Sequence, residues 1–332
     1  MDRPSEFDLI AQLFAPLATA PGALGLTDDA ALIAPPVGHE MVITTDALVE
    51  GVHFLATDPP QSIARKALRV NLSDLAAKGA VPAGYLLALS LPARLDFDWL
   101  KNFAHGLALD GAEFSLPLLG GDTTSTPGPL TIAITALGFV PKGAMPRRGG
   151  AKPGDYVYVT GTIGDAGAGL ELLLGATAPR RSAAPEDAAY GVRQLDADND
   201  AALYLIDRYR VPTPRLAQGL ALRDVVTASL DVSDGLIADL GHIADVSHVK
   251  IVVDAGLIPL SPALRRVWGA GEDAVLRAAT AGDDYEIAFT AGPLDAAAFG
   301  VCRIGRVSEG AGVFLMGSAG EIAVSRAGYR HF

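Results

Sequence analysis

The feature that most constrains this chain is a set of six aspartate-containing runs, each placed against an apolar stretch. Five combine aspartate with glycine, serine, threonine or a second aspartate, and the sixth has Asp74 in a predicted helix. The runs are Thr27–Leu32, Ile43–Leu48, Asn71–Ala80, Leu119–Ser125, Leu230–Leu236 and Ala281–Ile287. Hard-cation sites collect oxygen ligands from several turns in this way. If the runs converge, the site can hold several Mg²⁺ ions and, through them, phosphates.

Composition describes a globular chain whose charge excludes two kinds of partner. The 332 residues are 50% hydrophobic and 19% charged, which is typical of a globular protein, and the length favours two domains. The net charge of −12 argues against nucleic acid and against an anionic membrane, because both favour a basic face. Nucleotides remain compatible, since bound Mg²⁺ reverses the sign of an acidic site.

Cysteine and histidine usage excludes further classes. Cys302 is the single cysteine, and the six histidines show no HExxH pairing, so neither an internal disulfide nor a cysteine-based zinc site is expected. The acidic N-terminal segment lacks the basic start of a signal peptide. The longest apolar stretches, 81–91 and 130–140, are too short to span a bilayer. We expect a soluble, cytoplasmic protein.

Apolar periodicity predicts alternating helices and strands in both halves, which indicates an α/β fold. Predicted helices are 7–14, 61–78, 97–110, 216–221, 235–244 and 262–268, with a further helix ending at 174. Predicted strands are 30–34, 41–45, 85–91, 116–119, 130–140, 156–160, 251–253, 287–290 and 313–315. Residues 176–200 are expected to form an exposed loop.

A run rich in proline and glycine, Met145–Asp155, marks the expected domain boundary. It gives predicted domains of residues 1–148 and 149–332. Beyond it, a strand leads through a glycine-rich turn, Gly161–Gly169, into a helix. The turn lacks GxGxxG spacing, so it is either a phosphate contact or only a tight turn. P-loop chemistry is excluded because no GxxxxGK[ST] motif occurs.

Two runs of the first half offer oxygen ligands beside apolar segments. Asp28 and Asp29 are adjacent, and neighbouring carboxylates repel unless a cation or proton joins them, which favours a metal over a turn cap. Thr44, Thr45 and Asp46 close a predicted strand, and their oxygens suit Mg²⁺. An ordinary cap at the end of the strand explains this triplet equally well.

Asp74 and His53 have both structural and functional interpretations. Asp74 can pair with Lys78 one turn later, which is worth a few tenths of a kcal/mol. Its apolar helix neighbours indicate a covered carboxylate, however, and a covered carboxylate needs a partner. His53 is a lone histidine, a kind that is usually structural, but its closeness to Asp46 makes it a candidate contact for a substrate phosphate.

Gly120, Gly121 and Asp122 form the most specific of the runs. Two glycines after an apolar strand let backbone N–H groups approach a ligand closely, and the alternative is a β-turn with an aspartate cap. In the second half, Asp231 and Asp234 are three residues apart at a strand-to-helix turn.

Ser233 lies between these two carboxylates, where a helix N-terminus suits a phosphate. The run with Asp283 and Asp284 is similar in form and weaker alone.

With these motifs in place, the sequence resembles the thiamine-monophosphate kinases of the aminoimidazole ribonucleotide synthetase superfamily. The similarity runs nearly from end to end, through SEFDLI, DDAAL, TTDALVEGVHF, KALRVNLSDLAAKGA, LLGGDTT, GAKPGD, YVTGTIGDAGAGL, LDVSDGLIADLGHI, GDDYE and GYRHF. The NLSD, GGD and DxSDGL types are shared across the superfamily. The VEGVHF run, the VSDGLIADLGHI helix and the terminal GYxHF are typical of this kinase family.

The resemblance implies ATP-dependent phosphorylation of thiamine monophosphate to thiamine diphosphate, by direct in-line transfer assisted by several Mg²⁺ ions. It implies a two-domain aminoimidazole ribonucleotide synthetase-like fold. The N-terminal α/β sheet domain would bind ATP and Mg²⁺ and form a barrel across a homodimer. A C-terminal α/β domain would follow.

The resemblance also assigns roles. The implied metal ligands are Asp29, Thr44, Thr45, Asp46, Asp74, Asp122, Asp231 and Asp234. The implied ATP contacts are Gly121, Asp122, Arg148 and Ser233, and the implied acceptor contacts are His53, Asp283, Arg326 and the C-terminal segment. No catalytic residue beyond the metal ligands is expected, because a phosphate acceptor needs no general base. Asp283 stands where the family usually has glutamate, and Arg326 where an aromatic residue is expected.

Two alternatives come from other classes. A related ATP enzyme that makes an aminoimidazole ribonucleotide, or that activates selenide, would share the metal motifs. The selenide enzyme typically carries a reactive cysteine or selenocysteine near its N-terminus, and the hydrogenase-maturation relative ends in cysteine, whereas this sequence ends in His331 and Phe332. A divalent-cation-binding dimer without nucleotide turnover is the non-enzymatic alternative.

Overall fold

The computed structural model describes residues 5–177 and 195–329. The chain divides into two compact units. The first comprises Met1–Pro146 and Pro214–Asp224, and the second comprises Arg147–Thr213 and Val225–Phe332. The short segment Pro214–Asp224 therefore belongs to the first unit although it lies far along the chain.

The first unit is built on an open four-stranded sheet with the order β1-β4-β2-β3. Its strands are β1 (His39–Val49), β2 (Val81–Pro92), β3 (Leu118–Thr126) and β4 (Thr131–Pro141). Strands β2 and β3 are parallel, and the other pairs are antiparallel. Among the residues described this sheet is open and no closed barrel is present; the barrel that the resemblance implies would require a second chain.

The α-helices before β3 are α1 (Glu6–Leu9, continued by a π-helical turn over Ile10–Phe14), α2 (Pro60–Ala77) and α3 (Phe97–Glu113). Helix α2 packs on one face of the sheet, against β1, β2 and β4, and α3 packs on α2. Helix α2 begins with proline, which suits a first helical position, and its apolar stripe is buried, with Leu68, Leu72 and Leu75 fully covered. Burial of each such side chain stabilises the fold by about 1.5–3 kcal/mol.

The second unit contains a seven-stranded sheet with the order β11-β10-β7-β9-β5-β8-β6. Its strands are β5 (Tyr156–Thr160), β6 (Ala228–Asp231), β7 (Lys250–Asp254), β8 (Ile287–Ala291), β9 (Val301–Ser308), β10 (Gly312–Gly317) and β11 (Gly320–Ile322). Strand β8 is buried throughout, as its continuous apolar sequence requires.

Helices pack on this sheet and connect its strands. In chain order the remaining helices are α4 (Asp165–Thr177), α5 (Leu195–Arg210), α6 (Leu216–Leu222, in the first unit), α7 (Leu236–Ser247), α8 (Pro262–Trp268), α9 (Glu272–Thr280) and α10 (Ala296–Phe299). No helix in the described ranges is long and apolar enough to cross a membrane.

Most predicted elements are confirmed, and several predictions are wrong. Residues 30–34 form no strand. The strand predicted to stop at Gly120 instead runs from Leu118 to Thr126, because its backbone continues to pair with β2. The predicted loop 176–200 overlaps helix α5 from Leu195, and residues 178–194 lie outside the described residues. The elements that were not predicted from the sequence are β6, β9, β11, α9, α10 and the part of α5 beyond residue 200.

Candidate metal and phosphate site

In the first unit, Thr44 and Asp46 lie within β1 and meet Asp74 of helix α2. The prediction that Asp46 closes the strand is wrong, because β1 continues to Val49, paired with β4. The Thr44 hydroxyl donates a hydrogen bond to the Asp74 carboxylate. Burial and, after it, repulsion from Asp74 raise the pKa of Asp46 from 3.8 to about 6. Among the described residues, neither Asp46 nor Asp74 has a salt bridge, so the predicted Asp74–Lys78 pair is not formed. Two close carboxylates without a cationic partner are the arrangement that a metal ion relieves.

Thr45 lies on the opposite face of the strand, as alternation along β1 requires. Its hydroxyl donates to the Ile134 carbonyl at 3.0 Å and accepts from the Thr135 hydroxyl at 3.1 Å. The Thr45 side chain is therefore held by β4, and any contact of this residue with the Asp46–Asp74 group would come from its backbone carbonyl.

A cavity of about 630 Å³ lies beside Asp29, Gly121 and Asp122. Its other walls are largely apolar and include Phe7, Ile10, Phe14, Leu86, Leu118 and Leu137. Asp29 has a left-handed backbone with φ of 52°, which is uncommon outside glycine. A Cβ on Gly121 would lie 1.8 Å from the Leu87 carbonyl oxygen, so glycine is required there by the approach of β2.

His53 is held in a tight turn after β1. The Val49 N–H donates to His53 Nδ1 at 3.0 Å, and the buried Lys66 ammonium donates to the His53 carbonyl at 2.9 Å. Because Nδ1 accepts a hydrogen bond, the ring proton of the neutral imidazole lies on Nε2. This orientation makes Nε2–H a donor for an anion.

In the second unit, the turn between β6 and α7 carries Asp231, Ser233 and Asp234. Its backbone N–H groups are already occupied, because Oδ2 of Asp239 accepts from Ser233, Asp234 and Gly235 at 3.0, 3.1 and 3.0 Å. The expectation that these N–H groups bind a phosphate is therefore not met in this arrangement. Any phosphate contact of Ser233 would come from its hydroxyl.

Asp239 was missed by the sequence analysis and lies close to a predicted ligand. Burial and, after it, repulsion from Asp234 raise the pKa of Asp239, the three N–H donors lower it, and the net value is about 7. Ligand atoms of Asp234, Asp239 and His242 lie within 4.8 Å of one another. The signal in the sequence was an aspartate on the otherwise buried face of an apolar helix.

Two further runs meet this turn through backbone hydrogen bonds. The Asp283 N–H donates to the Ser233 carbonyl at 2.8 Å, and the Tyr329 N–H donates to the Asp234 carbonyl at 2.9 Å. Arg326 Nε donates to the Gly328 carbonyl at 3.0 Å. The rest of the predicted C-terminal contact, residues 330–332, lies outside the described residues.

Arg148 is exposed in the segment that precedes β5. The neighbouring Arg147 carbonyl accepts from the Ser229 N–H at 2.8 Å, which joins this segment to β6. The structure thus places Arg148 in the second unit together with Asp231, Ser233 and Asp234.

The glycine-rich turn at the start of α4 is a tight turn filled by a protein carboxylate. The Gly164 N–H donates to Asp284 Oδ2 at 2.7 Å, and the Ala166 N–H lies 3.4 Å from Asp284 Oδ1. Since Asp284 occupies these donors, the phosphate alternative for this turn is not supported. Asp284 is a second residue whose role the sequence did not reveal.

The donor chemistry of both units fits Mg²⁺, because carboxylates, hydroxyls and backbone carbonyls are the ligands of hard cations. Residues 27–140 match the family of AIR synthase related proteins, N-terminal domain. The first unit is therefore an AIR synthase-type α/β domain.

Whole-chain comparisons identify the family more closely. A thiamine-monophosphate kinase of Caulobacter vibrioides is 42% identical over 99% of this chain and 91% of the relative. A crystal structure of thiamine-monophosphate kinase from Stenotrophomonas maltophilia K279a has a TM-score of 0.80 at 41% identity, covering 94% of this chain and 96% of that one. AaThiL complexed with AMPPCP and TMP has a TM-score of 0.77 at 32% identity, covering 98% and 97%.

The chain belongs to the thiamine-monophosphate kinase family. The resemblance carried by the motifs is thereby confirmed.

Proposed function

We propose that this protein transfers the terminal phosphoryl group of ATP directly to thiamine monophosphate and so forms thiamine diphosphate. Family membership supports the activity, and the AaThiL complex with AMPPCP and TMP supports the pair of substrates. The observation that carries the proposal is the group of Thr44, Asp46 and Asp74, whose partly buried carboxylates have no salt-bridge partner among the described residues.

The main barrier to this reaction is electrostatic, because one polyanion must approach another. Two unit charges about 4 Å apart repel by about 4 kcal/mol at an effective dielectric constant near 20, and several such pairs meet during the transfer. The protein therefore needs cation-binding groups more than it needs a base. Its many carboxylates and its lack of an evident general base match that requirement.

The residues that would hold Mg²⁺ are Asp29, Thr44, Thr45, Asp46, Asp74, Asp122, Asp231 and Asp234. When bound, Mg²⁺ neutralises phosphate oxygens and favours an in-line geometry. Asp46 must lose its proton to act as a ligand, and Thr44 keeps the Asp74 carboxylate oriented towards β1. Thr45 would contribute its backbone carbonyl, since β4 holds its hydroxyl.

ATP binding in the first unit is supported by the cavity beside Gly121 and Asp122. Ligand pockets of roughly 300–1,000 Å³ with mainly apolar walls are typical of small-molecule sites, and this cavity of about 630 Å³ fits that range. Its apolar wall suits a nucleobase, and its Asp29–Asp122 side suits metal-bound phosphates. In the second unit, Arg148 and the Ser233 hydroxyl would add contacts to ATP phosphates.

The acceptor would be bound by His53, Asp283 and Arg326. The Nε2–H of His53 would donate to an oxygen of the acceptor phosphate, because Val49 fixes the opposite ring nitrogen as an acceptor. Since the attacking oxygen is already ionised, no residue needs to remove a proton. The transfer would therefore proceed in one step, with no phosphorylated protein intermediate.

We also propose a homodimer that joins two first-unit sheets into a barrel. Helix α2 packs on one face of the sheet. The other face is only partly covered: Ala23 packs against Leu119 and Leu137 there, whereas Ile43 is 60% and Leu86 40% exposed. Ala47 and Ala88 extend the same exposed surface. Ile43→Asp should therefore shift the mass measured by light scattering towards the monomer, and an unchanged mass would contradict this arrangement.

The activity is tested by measuring ADP release from Mg-ATP with thiamine monophosphate, beside thiamine and aminoimidazole precursors, with the product identified by chromatography. We expect turnover with thiamine monophosphate and formation of thiamine diphosphate. Asp98→Asn, which removes an exposed carboxylate on α3, should keep wild-type turnover and is the control for the aspartate substitutions given below. Turnover with a different acceptor alone would refute the substrate, and retention of configuration at phosphorus would refute the one-step transfer.

A further inference from the structure

The loop between α9 and β8 holds two non-glycine residues in a left-handed backbone conformation. Asp283 has a φ of 68° and Tyr285 a φ of 52°. Such residues are strained and persist only where the surrounding structure determines them. The residue between them, Asp284, is fully buried. The strained conformation therefore needs stabilising contacts, and the buried Asp284 supplies them.

Asp284 anchors the loop to the start of helix α4. Its carboxylate accepts from the Gly164 N–H at 2.7 Å, with the Ala166 N–H at 3.4 Å. Burial raises the pKa of Asp284 well above its usual value, and the Gly164 hydrogen bond and Arg208 oppose that rise. A carboxylate at a helix N-terminus also interacts favourably with the helix dipole.

Arg208 of α5 holds the same loop from a second side. Its Nη2 lies 3.0 Å from the Asp284 carbonyl and 2.9 Å from Glu286 Oε1. The other oxygen of Glu286 accepts from the Thr160 hydroxyl at 2.6 Å. Arg208 is 6% exposed and Glu286 is fully buried, so these are desolvated, charge-assisted contacts of the stronger kind.

The held loop lies against the turn that carries the predicted ligands of the second unit. The Asp283 and Tyr285 N–H groups donate to the Ser233 and Val232 carbonyls, each at 2.8 Å. The Tyr285 hydroxyl donates to Asp283 Oδ1 at 3.1 Å. The direction of the Asp283 side chain is thus set by the backbone conformation of the loop and by the Tyr285 hydroxyl.

We propose that Asp284, Arg208 and Glu286 are positioning residues, which hold the strained loop so that Asp283 is presented to the acceptor. The inference rests on the proposed function, because it gives Asp283 an acceptor to contact. None of the three residues needs to touch a substrate. Their effect is on acceptor affinity, through the geometry of Asp283.

A purely structural role is the competing explanation, since a buried ion pair that loses one partner destabilises any fold. The two explanations differ in what they change. Loss of structure lowers the melting temperature and the fraction of active enzyme, but it leaves the KM of the surviving enzyme unchanged. Loss of positioning raises the KM for one substrate more than for the other.

The experiment compares full-length Asp284→Asn and Arg208→Lys with the wild type. Asp284→Asn keeps the shape of the side chain and removes one of its acceptor oxygens, and Arg208→Lys keeps the charge and removes the forked donor. The matched control is Asp155→Asn. Asp155 is another largely buried carboxylate of the second unit, and it accepts from the Lys152 N–H at 2.9 Å and the Thr227 hydroxyl at 2.7 Å.

For each protein we would measure the melting temperature, kcat, and the KM for thiamine monophosphate and for ATP. We expect the acceptor KM to rise about 10-fold or more in both test variants, as for a misplaced binding group, with a smaller change in the KM for ATP. Asp155→Asn should lower the melting temperature and leave both KM values unchanged.

An unchanged ratio of the two KM values in a folded test variant would overturn the inference, and so would an equal rise of the acceptor KM in Asp155→Asn. If Asp284→Asn does not fold, the milder Arg208→Lys decides the question. Wild-type protein that fails to use thiamine monophosphate would overturn the proposed function and this inference with it. If the wild type uses thiamine monophosphate but the folded test variants have the same ratio of the two KM values as the wild type, the inference alone is overturned.

Discussion

Replacement of Asp46 by asparagine should stabilise the metal-free protein at pH 8 while abolishing turnover. Asp46 is partly buried beside Asp74, and these two causes, in that order, raise its pKa from 3.8 to about 6. At pH 8 the folded, metal-free protein must therefore keep a charge that its surroundings disfavour. Asparagine has a similar shape and no charge, so the variant avoids that cost.

The sign and size follow from the two pKa values. A carboxyl group whose folded pKa is raised contributes its stability fully below 3.8, the unfolded value, and loses it as the pH rises through about 6. Each pKa unit corresponds to about 1.4 kcal/mol, so ionisation of Asp46 costs the metal-free fold at most about 3 kcal/mol at pH 8. For a domain of this size that free energy is roughly 5–10 °C in melting temperature.

The assay is thermal unfolding of wild type and Asp46→Asn in EDTA at pH 4 and pH 8, repeated with excess Mg²⁺ at pH 8. In EDTA at pH 8 we expect the variant to have a higher melting temperature than the wild type. At pH 4 the two melting temperatures should be nearly equal, because neither Asp46 of the folded wild type nor the asparagine of the folded variant is charged there. Mg²⁺ should stabilise the wild type more than the variant, because the ion binds the folded carboxylate. Asp98→Asn, on the exposed surface of α3, should change none of these differences.

An Asp46→Asn protein that is less stable than the wild type in EDTA at pH 8 would refute this argument. That result would mean that the carboxylate forms a stabilising contact in the metal-free fold. A variant that keeps near-wild-type turnover at saturating Mg²⁺ would separately refute Asp46 as a ligand.

Four other substitutions test the site and the fold. Asp122→Asn and Asp234→Asn should each lower turnover by orders of magnitude and leave the circular dichroism spectrum unchanged, and near-wild-type rates at saturating Mg²⁺ would contradict the ligand assignment. Asp110→Asn should destabilise the fold by more than about 1 kcal/mol in urea unfolding, because it removes the fully buried carboxylate that Arg69 and Arg65 both bind and leaves Arg69 only the half-exposed Glu113, and a smaller loss would contradict the ion pair's role. Gly121→Ala should lower the melting temperature, since its Cβ would lie 1.8 Å from a carbonyl of β2, and an unchanged value would show that the strands can separate freely.

Two elements show what the sequence could predict. Helix α2 was predicted as 61–78 and spans Pro60–Ala77, because its apolar stripe specifies the buried face. Strand β5 was predicted with its observed bounds, Tyr156–Thr160, and is buried from Val157 to Thr160, so it was indicated by its run of tyrosine, valine and threonine residues. The same reasoning fails where an apolar run has no neighbouring strand to pair with.

Residues 30–34 illustrate that failure. The run is apolar and short, as a buried strand would be, but Leu32 makes its backbone hydrogen bond to the Gly22 carbonyl, at 2.8 Å, and not to a sheet. Strand propensity largely reflects packing against neighbouring strands, and the sequence of a short segment does not show which strands will lie beside it. The two glycines of β3 led to the opposite error, a strand predicted to stop too early. Gly121 allows close pairing with β2 and does not end the strand.

The residue types of the candidate site were predictable, but the residues that support them were not. Asp239 and Asp284 both act on backbone N–H groups, of Ser233 to Gly235 and of Gly164 respectively. A contact to a backbone group leaves no mark on the sequence of its partner, since every residue except proline offers the same N–H. Only the folded chain shows which aspartates accept hydrogen bonds from backbone N–H groups.

The partner of each carboxylate therefore separates structural acids from candidate ligands better than its burial does. Asp110 is fully buried, but Arg69 and Arg65 both bind it, and Glu286 is fully buried against Arg208. Asp46 and Asp74 are less buried, yet within the described ranges they meet a hydroxyl and each other and form no salt bridge. A buried acid whose charge is matched by arginine belongs to the fold and has no need of an ion. A pair of acids left unmatched against one hydroxyl raises the free energy of the empty protein, and a divalent cation is the ligand that lowers it most.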